Sequence, residues 1–594
     1  MRVLALLVLG SLLLAGCLQV PGETDAATLT AGTPFPHDAA FDATGSWSKT
    51  LLPGPHGFLP VEEIWMPSFD GTKIHMGIFL PDVPEGTKVP VIVDAGPYYG
   101  DGDEPATSDK THRLGGFLIE NFVPHGYAVA QVSIRGTGLS GGCVDYMGDK
   151  EQADLDAAVT FLGEQPWSSG AIAMIGRSYD GSTPWEVATF GNPYLKTIVP
   201  ISGITDLQQL HYRNGSAEVR SLILGSLYYS YGATDAGLGG PDQDEDPATW
   251  SRMACAEGPQ HTPMGAYGYL TGGGRMAPGP TDAYWETRSF TSRVLENYQG
   301  SIFYIHGLQD WNVKPSQGVD VYNAFQGPKK ALLGQWGHNY PDRPDEHDHL
   351  RWDWAEMLLR WFDQELKGVE TDTGPGIIIQ DHRGNWRDET RNAWPPQDAT
   401  WTTLFPSEDG TLVAEGASGS VTLFAPTDLA GEPPMGEAVA PRVATFESEP
   451  FPEPTRISGQ PRFHVKVTPS TPGGNLWAEL WEVPAKGDAI RIGRAQMDLR
   501  YAAGGTTPVA VTPNVPTLAL MEFFPLDARL LAGSKLALLV TGEGSGDNLP
   551  NPMTSQMTIE LGDDISSLQL PIIERAFTPS RWDAAAGEVK RETA

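Results

Sequence analysis

Two serines lie in glycine-rich contexts that suit a nucleophile. Gly138-Leu139-Ser140-Gly141-Gly142 matches the literal Gly-x-Ser-x-Gly pattern of a nucleophile elbow, whereas Gly176-Arg177-Ser178-Tyr179-Asp180-Gly181 carries its last glycine one position late. An elbow needs a buried strand directly before the serine and a helix directly after it, so that the helix N-terminus faces the oxyanion. Of the two, Ser178 has both flanks, with the apolar run Ala171–Ile175 before it. The sequence therefore favours Ser178 as the nucleophile and Ser140 as a turn residue.

A serine hydroxyl needs a histidine base, and that base needs a carboxylate to fix its tautomer. With an elbow of this type, the expected chain order is serine, acid, histidine. The apolar run Ser301–Ile305 leads to Asp310, and the next apolar run, Ala331–Leu333, leads to His338. We therefore predict Asp310 as the orienting acid and His338 as the general base. His306 precedes Asp310 and breaks this order, so we interpret it as a hydrogen-bonded wall of the site.

The oxyanion of an acyl-transfer intermediate needs hydrogen-bond donors. The backbone N–H of Tyr179, directly after the nucleophile, is the first candidate. The second donor should come from the loop after an early strand, which reads Gly96-Pro97-Tyr98-Tyr99-Gly100 and lacks the glycine-rich donor motif of lipases. A tyrosine hydroxyl is the expected substitute, and the residues alone leave Tyr98 and Tyr99 open.

The sequence predicts no metal ion and no cofactor. The acidic and histidine-containing run at 345–349 is more typical of a solvated helix start than of a metal site. Aspartates alternate at 242, 244 and 246 as calcium ligands do, but Pro247 stands where a calcium-binding loop needs glycine.

The overall charge is strongly acidic. Asp and Glu number 74 against 40 Lys and Arg, which gives the 594-residue chain a formal net charge of -34. Such a charge repels phosphate backbones, so we expect no nucleic-acid partner. The length exceeds what one hydrophobic core usually serves, so the chain should contain two or three domains.

The N-terminus has the layout of a lipoprotein export signal. Met1-Arg2 precedes an apolar stretch that ends at Leu14-Ala15-Gly16-Cys17, and this stretch is shorter than the ~20 residues of a spanning helix. We predict a signal peptide over 1–16, lipidation of Cys17 and a tether over 17–47, with a conventional signal peptide as the alternative. The protein would then face the extracytoplasmic side of the cell envelope and contact the membrane through its lipid anchor only. In that oxidising compartment, Cys143 and Cys255 are a disulfide candidate.

Strand and helix patterns alternate through the first part of the chain. Val89–Val93 and Tyr127–Val132 read as buried strands, and Glu151–Leu162 reads as a helix with one apolar face. This alternation predicts a parallel sheet covered by helices over residues 48–370. The rhythm lapses at about 204–297, which we interpret as a helical cap inserted over the carboxyl ends of the strands.

The pattern changes after residue 370 to short β runs separated by Gly, Pro, Asn and Asp. Phe463–Val467 and Leu476–Trp481 alternate apolar and polar residues, which is the period of half-buried strands. Residues 371–594 are therefore predicted to form an antiparallel β-sandwich of the jelly-roll type.

As a set, these motifs resemble the Xaa-Pro dipeptidyl-peptidase and cocaine esterase-like family of serine hydrolases. The similarity covers nearly the whole mature chain and is carried by the segments 135–138, 176–181, 306–315, 334–338 and 361–368. The resemblance implies an α/β fold with an α/β-hydrolase core, an inserted helical cap and a C-terminal antiparallel β jelly-roll sandwich. It also implies a tyrosine hydroxyl in the oxyanion hole, which makes Tyr98 preferable to Tyr99. Candidate pocket residues are Trp185, Tyr212 and Trp311.

Within this family, the segments 201–204, 212–215 and 306–315 are more similar to the peptidase branch than to the esterase branch. We therefore expect release of N-terminal Xaa-Pro dipeptides through an acyl-enzyme. Hydrolysis of esters or acyl amides by the same triad is the first alternative, and a non-catalytic surface lipoprotein with a binding function is the second. Asp180 and Pro184 depart from the apolar or small residues that peptidase-branch elbows tend to carry at these positions.

Overall fold

A computed structural model describes most of the chain after the predicted tether. The described residues are 51, 53–98, 115–217, 283–342, 353–389, 394–396, 398–425, 442–504, 508–542, 555–563 and 565–573. The predicted signal peptide and tether and the centre of the predicted cap, residues 218–282, lie outside them.

The N-terminal part of the described chain, residues 51–389, is the core domain. Its strands are β1 (Gly57–Phe58), β2 (Glu62–Pro67), β3 (Lys73–Phe79), β4 (Pro81–Asp82), β5 (Val89–Gly96), β6 (Ala128–Ser133), β7 (Ser168–Arg177), β8 (Leu195–Ile201), β9 (Tyr212–Arg213), β10 (Ser216–Ala217), β11 (Ser301–Gly307), β12 (Lys329–Gly334), β13 (Ile377–Gln380) and β14 (Trp386–Glu389). Its helices are α1 (Gly115–Phe122), α2 (Asp149–Gly163), α3 (Tyr179–Ala188), α4 (Leu207–His211), α5 (Ala283–Thr287), α6 (Thr291–Asn297), α7 (Pro315–Ala324) and α8 (Trp354–Lys367), with a 3-10 turn at Val123–His125.

A ten-stranded sheet forms the centre of the core domain, in the order β14-β13-β12-β11-β8-β7-β5-β6-β3-β2. Neighbouring strands from β6 to β13 pair in parallel, whereas β2, β3 and β14 pair antiparallel. Every residue of β5, β6 and β11 is buried, because an apolar cluster lies against each face of the sheet. This confirms the predicted α/β fold, and the parallel strands direct their carboxyl ends to one edge.

The sheet extends past the predicted domain boundary at residue 370. Ile377 of β13 lies beside Ala331 of β12 in parallel register, and β14 then pairs antiparallel with β13. The structural boundary of the core domain therefore falls after Glu389.

The C-terminal part of the described chain is a β-sandwich domain. Its strands are β15 (Thr400–Pro406), β16 (Thr411–Val413), β17 (Gly419–Ala425), β18 (Val443–Ser448), β19 (Thr455–Gly459), β20 (Arg462–Pro469), β21 (Asn475–Val483), β22 (Ile490–Asp498), β23 (Thr517–Glu522), β24 (Leu526–Leu530), β25 (Lys535–Thr541), β26 (Ser555–Leu561) and β27 (Ser567–Ile573), with a 3-10 turn at Leu499–Tyr501. Only the β16–β18 pair is parallel among these described strands. The apolar core lies between two layers joined through β15.

The two β runs singled out in the sequence behave differently. Burial alternates along β20, as predicted for a half-buried strand. In β21, by contrast, Trp477 and Glu479 are buried although their face points away from the sandwich core. Arg494 of β22 lies beside Glu479 in the strand register, and its guanidinium stacks on Trp311 of the core domain. This face of β21 and β22 therefore lies against the core domain.

No helix of the described segments is long and apolar enough to span a bilayer.

Candidate active site

Ser178 lies between the end of β7 and the start of α3, at the carboxyl edge of the sheet. Its backbone has φ 66° and ψ -123°, and its N–H donates to the carbonyl of Ile201 at 3.0 Å. Such a conformation costs a non-glycine residue about 1–3 kcal/mol and persists only where its surroundings hold it. The turn is tight, because a Cβ on Gly176 would overlap the carbonyl of Asp180 and one on Gly181 would overlap that of Ile201. This is the geometry of a nucleophile elbow.

Pro184 lies inside α3 without ending the helix. A proline at this position cannot donate to the carbonyl of Asp180, four residues earlier. The hydroxyl of Thr183 lies 2.9 Å from that carbonyl and 3.0 Å from the carbonyl of Ala95 at the end of β5. The side chain before the proline therefore compensates for the missing N–H and connects the helix to the sheet.

Ser140 has a structural position. It is fully buried, its hydroxyl donates to the carbonyl of Ser133 at 2.7 Å, and it accepts the backbone N–H of His75 at 2.8 Å. Its own N–H closes a turn to the carbonyl of Thr137. The interpretation of Ser140 as a turn residue is confirmed.

Asp310 and His338 meet on the loops that follow β11 and β12. Nδ1 of His338 lies 2.7 Å from Oδ2 of Asp310, and Oδ1 accepts the backbone N–H groups of Asn312 at 2.8 Å and Val313 at 2.9 Å. Burial alone would raise the pKa of Asp310, but its electrostatic interaction with His338 and hydrogen bonds from both neighbouring histidines hold this pKa well below its usual value. Asp310 therefore stays ionised and accepts a hydrogen bond from the Nδ1–H group of His338.

His338 is positioned as a neutral base. Burial lowers its pKa, and this outweighs the opposing effect of Asp310. Nε2 has no hydrogen-bond partner among the described residues, and the side chain keeps 19% of its accessible area. The guanidinium of Arg177, directly before Ser178, donates to the carbonyl of His338 at 2.9 Å. This bond connects the loop of the base to the strand that carries the nucleophile.

His306 lies beneath the acid and is fully buried. Its Nε2 is 3.3 Å from Oδ2 of Asp310 and 2.9 Å from the carbonyl of Val313, and its Nδ1 is 2.6 Å from the hydroxyl of Tyr304. A neutral ring that donates from Nε2 and accepts at Nδ1 satisfies all of these contacts. His306 is therefore hydrogen-bonded, as predicted, and contacts the acid, while its place as a wall of the site stays a prediction.

The two oxyanion candidates lie at neighbouring strand ends. Val93 of β5 is in register with Met174 of β7, so Tyr98, just after β5, follows the strand next to that of Ser178. A Cβ on Gly96 would overlap the Asp180 carboxyl group, which shows how closely the end of β5 approaches the first turn of α3. Tyr98 is half-buried, whereas the side chain of Tyr179 is fully buried and leaves only its backbone N–H for this role.

Two family models match the chain. One, described as X-Pro dipeptidyl-peptidase (S15 family), matches residues 70–340, and the other, described as X-Pro dipeptidyl-peptidase C-terminal non-catalytic domain, matches residues 368–578. A putative Xaa-Pro dipeptidyl-peptidase of Streptomyces avermitilis is 27% identical over 591 residues, which covers 85% of this chain and 80% of the relative. The chain belongs to the S15 family of X-Pro dipeptidyl-peptidases.

Solved structures share the fold of this S15 family member. A CocE/NonD family hydrolase from Staphylococcus aureus superposes with a TM-score of 0.64 at 17% identity, over 86% of this chain and 94% of that one. An alpha-amino acid ester hydrolase superposes with a TM-score of 0.65 at 18% identity, over 93% of this chain and 100% of that one. These similarities establish the architecture of an α/β-hydrolase core with a C-terminal β-sandwich.

The three predicted pocket residues of the S15 protein have different environments. Trp185 is fully buried in the apolar core of the core domain, which indicates a packing role rather than contact with a substrate. Tyr212 is also buried, in an edge-on contact with Trp285 at 6.0 Å. Trp311 is half-buried, and the guanidinium of Arg494 lies 3.3 Å from its ring centroid. Of the three, Trp311 keeps the accessibility that a pocket residue needs.

Other predicted sites lie partly or wholly outside the described residues. Cys17 and Cys255 are among these, whereas Cys143 lies in the described part of the chain. The pairing of Cys143 with Cys255 stays a prediction. Within the described segments, no three His, Cys, Asp or Glu side chains are grouped to hold a metal ion.

Proposed function

We propose that this protein removes Xaa-Pro dipeptides from the N-termini of peptides by serine catalysis. The observation that supports the chemistry best is the 2.7 Å contact between His338 and Asp310, on loops at the same edge of the sheet as the strained elbow at Ser178. Membership of the S15 family supports the substrate class.

In the proposed reaction, the hydroxyl of Ser178 attacks the carbonyl carbon of the proline residue. Nε2 of His338 takes the hydroxyl proton and then gives it to the leaving amine, while Asp310 holds the ring and stabilises the imidazolium. The N–H of Tyr179 and the hydroxyl of Tyr98 would donate to the oxyanion. Water, activated by the same histidine, then hydrolyses the acyl-enzyme and releases the dipeptide.

A substrate comparison tests this proposal. Wild-type protein and Ser178→Ala should be compared on Ala-Pro and Gly-Pro anilides, on anilides that lack proline, and on simple aryl esters. The proposal requires turnover of the proline anilides that disappears in Ser178→Ala. Turnover of esters alone would favour an esterase or acyl-amide hydrolase. Failure of a fluorophosphonate probe to label Ser178 would leave a non-catalytic binding lipoprotein as the remaining explanation.

The pH profile provides a second test. Since burial lowers the pKa of His338 below its usual value, the base should stay neutral through mildly acidic solution. We expect kcat/KM to be at its plateau at neutral pH and to fall only below the ordinary histidine pKa, as the ring takes up a proton. Steady-state kinetics on an Ala-Pro anilide from about pH 4 to about pH 9 measure this limb. A fall in kcat/KM that begins above the ordinary histidine pKa would contradict the assignment of His338 as a buried neutral base.

We further propose that the protein is an exported lipoprotein anchored through Cys17. The motif Leu14-Ala15-Gly16-Cys17 supports this location. Membrane fractionation of cells that express wild-type protein or Cys17→Ala tests it, since loss of the acylated cysteine should release the protein from the membrane fraction. Equal distribution of the two proteins would contradict lipid anchoring.

A further inference from the structure

The side chain of Tyr179 is anchored behind the elbow. Its hydroxyl donates to Oε2 of Glu151 at 2.9 Å and accepts the backbone N–H of Met147 at 3.0 Å. The Met147 N–H also lies 3.1 Å from the same carboxylate oxygen. Glu151 belongs to α2, so this contact fixes the first residue of α3 to the neighbouring helix.

Strained backbone surrounds this anchor on both sides. Ser178 has φ 66°, and the consecutive residues Tyr146 and Met147 have φ 49° and 63°. Non-glycine residues hold such angles only when surrounding contacts oppose relaxation. Because Tyr179 directly follows Ser178, movement of its side chain would also move the backbone N–H beside the nucleophile.

A second buried carboxyl group completes the arrangement. Glu186, seven residues after Tyr179 in α3, is fully buried, and neither of its carboxylate oxygens has a hydrogen-bond partner in the described part of the chain. Oε1 of Glu151 likewise has none there. Burial and the charge of Glu151 raise the pKa of Glu186 well above its usual value, and burial raises the pKa of Glu151 to about 8. Two carboxyl groups in this setting do not both ionise at neutral pH.

Other elements direct charged and polar groups towards the pair. Two arginines of the predicted cap form hydrogen bonds with residues near Glu151. Arg288 donates to the carbonyl of Asp145 at 2.6 Å, and Arg293 donates to the side-chain oxygen of Gln152 at 2.9 Å. The titratable or charged groups around the pair are Asp145, Tyr146, Tyr179, His211, Arg288 and Arg293.

We propose that Glu151 is a positioning residue that fixes Tyr179 and, through it, the backbone N–H that receives the oxyanion, and that the buried carboxyl groups of Glu151 and Glu186 are not ionised together. The proposal rests on the proposed function, because an oxyanion must form beside Ser178. It assigns a catalytic consequence to Glu151, a buried carboxyl group behind the elbow.

A double-mutant cycle tests the catalytic part. Tyr179→Phe and Glu151→Leu should each lower kcat roughly 10- to 100-fold with little change in KM, because they displace the same N–H. The double variant should be no worse than either single variant. Glu151→Gln keeps an oxygen that can accept the Tyr179 hydroxyl, so it should restore most of kcat. Additive losses, or a change in KM alone, would overturn the proposal.

The protonation of these two carboxyl groups can be tested without an activity assay. The pair binds a proton more tightly in the folded chain than in the unfolded chain, so its contribution to stability is lost as pH rises from the usual glutamate range through about 8. Urea unfolding at several pH values should show this loss in wild-type protein and in Glu120→Gln, an exposed glutamate of α1 used as a control. Glu186→Gln should weaken the pH dependence. An unchanged dependence in Glu186→Gln would refute the acid pair, even if no substrate of the proposed function were turned over.

Discussion

Replacing Asp310 with asparagine should lower kcat by about 10⁴-fold while the protein remains folded. The carboxylate accepts a hydrogen bond from the Nδ1–H group of His338 at 2.7 Å and so leaves Nε2 free to take a proton from Ser178. An amide in this place can donate to Nδ1, which would stabilise the tautomer with its proton on Nε2. That tautomer cannot act as the base.

The measurement compares single-turnover and steady-state rates on an Ala-Pro anilide with the circular dichroism of each variant. Asp363→Asn is the matched control, because Asp363 also accepts a short hydrogen bond, from Tyr127 at 2.6 Å. Asp363 lies on α8, and Tyr127 directly precedes β6, at the end of that strand away from the proposed active site. The control should keep a rate within about twofold of wild type. A loss of less than about tenfold in Asp310→Asn would remove this residue from the triad.

Removing the carboxylate of Asp527 should reduce the free energy of unfolding by about 3–5 kcal/mol. Asp527 is fully enclosed where the core domain meets the β-sandwich, and it pairs there with Arg387 of β14 and with Arg456 of β19 at 3.1 Å. The hydroxyl of Ser458 donates to the same carboxylate oxygen at 2.6 Å. Burial and the charge of Arg456 already lower the pKa of Arg387 to about 9. Without Asp527, the buried guanidinium groups of Arg387 and Arg456 would both depend on the carboxylate of Glu389, the other acidic partner that the described residues give them.

Urea unfolding of Asp527→Ala measures this loss. The control is Glu447→Gln, which breaks an ion pair with Lys535 at 3.0 Å in which both side chains are 41% exposed. An exposed pair of this kind contributes about 0–1 kcal/mol, so the control should stay close to wild type. Equal effects of the two substitutions would show that the buried cluster does not hold the domains together.

The positions of the proposed triad residues could be predicted because each of them follows a strand with a clear apolar pattern. The run before Ser178 became β7, and the runs before Asp310 and His338 became β11 and β12. Parallel strands bring their carboxyl ends to one edge, so chain order was enough to place these residues. The sequence does not specify the distances between the side chains, which depend on loop conformations such as the turn at Asn312 and Val313.

Polar contacts between distant segments could not be predicted in the same way. Glu151 was included in a helix with one apolar face, and nothing in that pattern indicates a bond to Tyr179. Trp477 was expected on an exposed face of β21, but that face is covered by the core domain. Both cases depend on tertiary packing. The spacing of apolar residues along one segment does not show which distant segment will cover it.

The membership of β13 and β14 in the ten-stranded sheet affects how the molecule can be divided. A chain cut at residue 370 would lose both strands and leave the backbone of β12 as a bare, apolar edge, which is a template for aggregation. The catalytic half is therefore not an autonomous module at that cut, and a fragment intended to fold alone must retain the chain through Glu389.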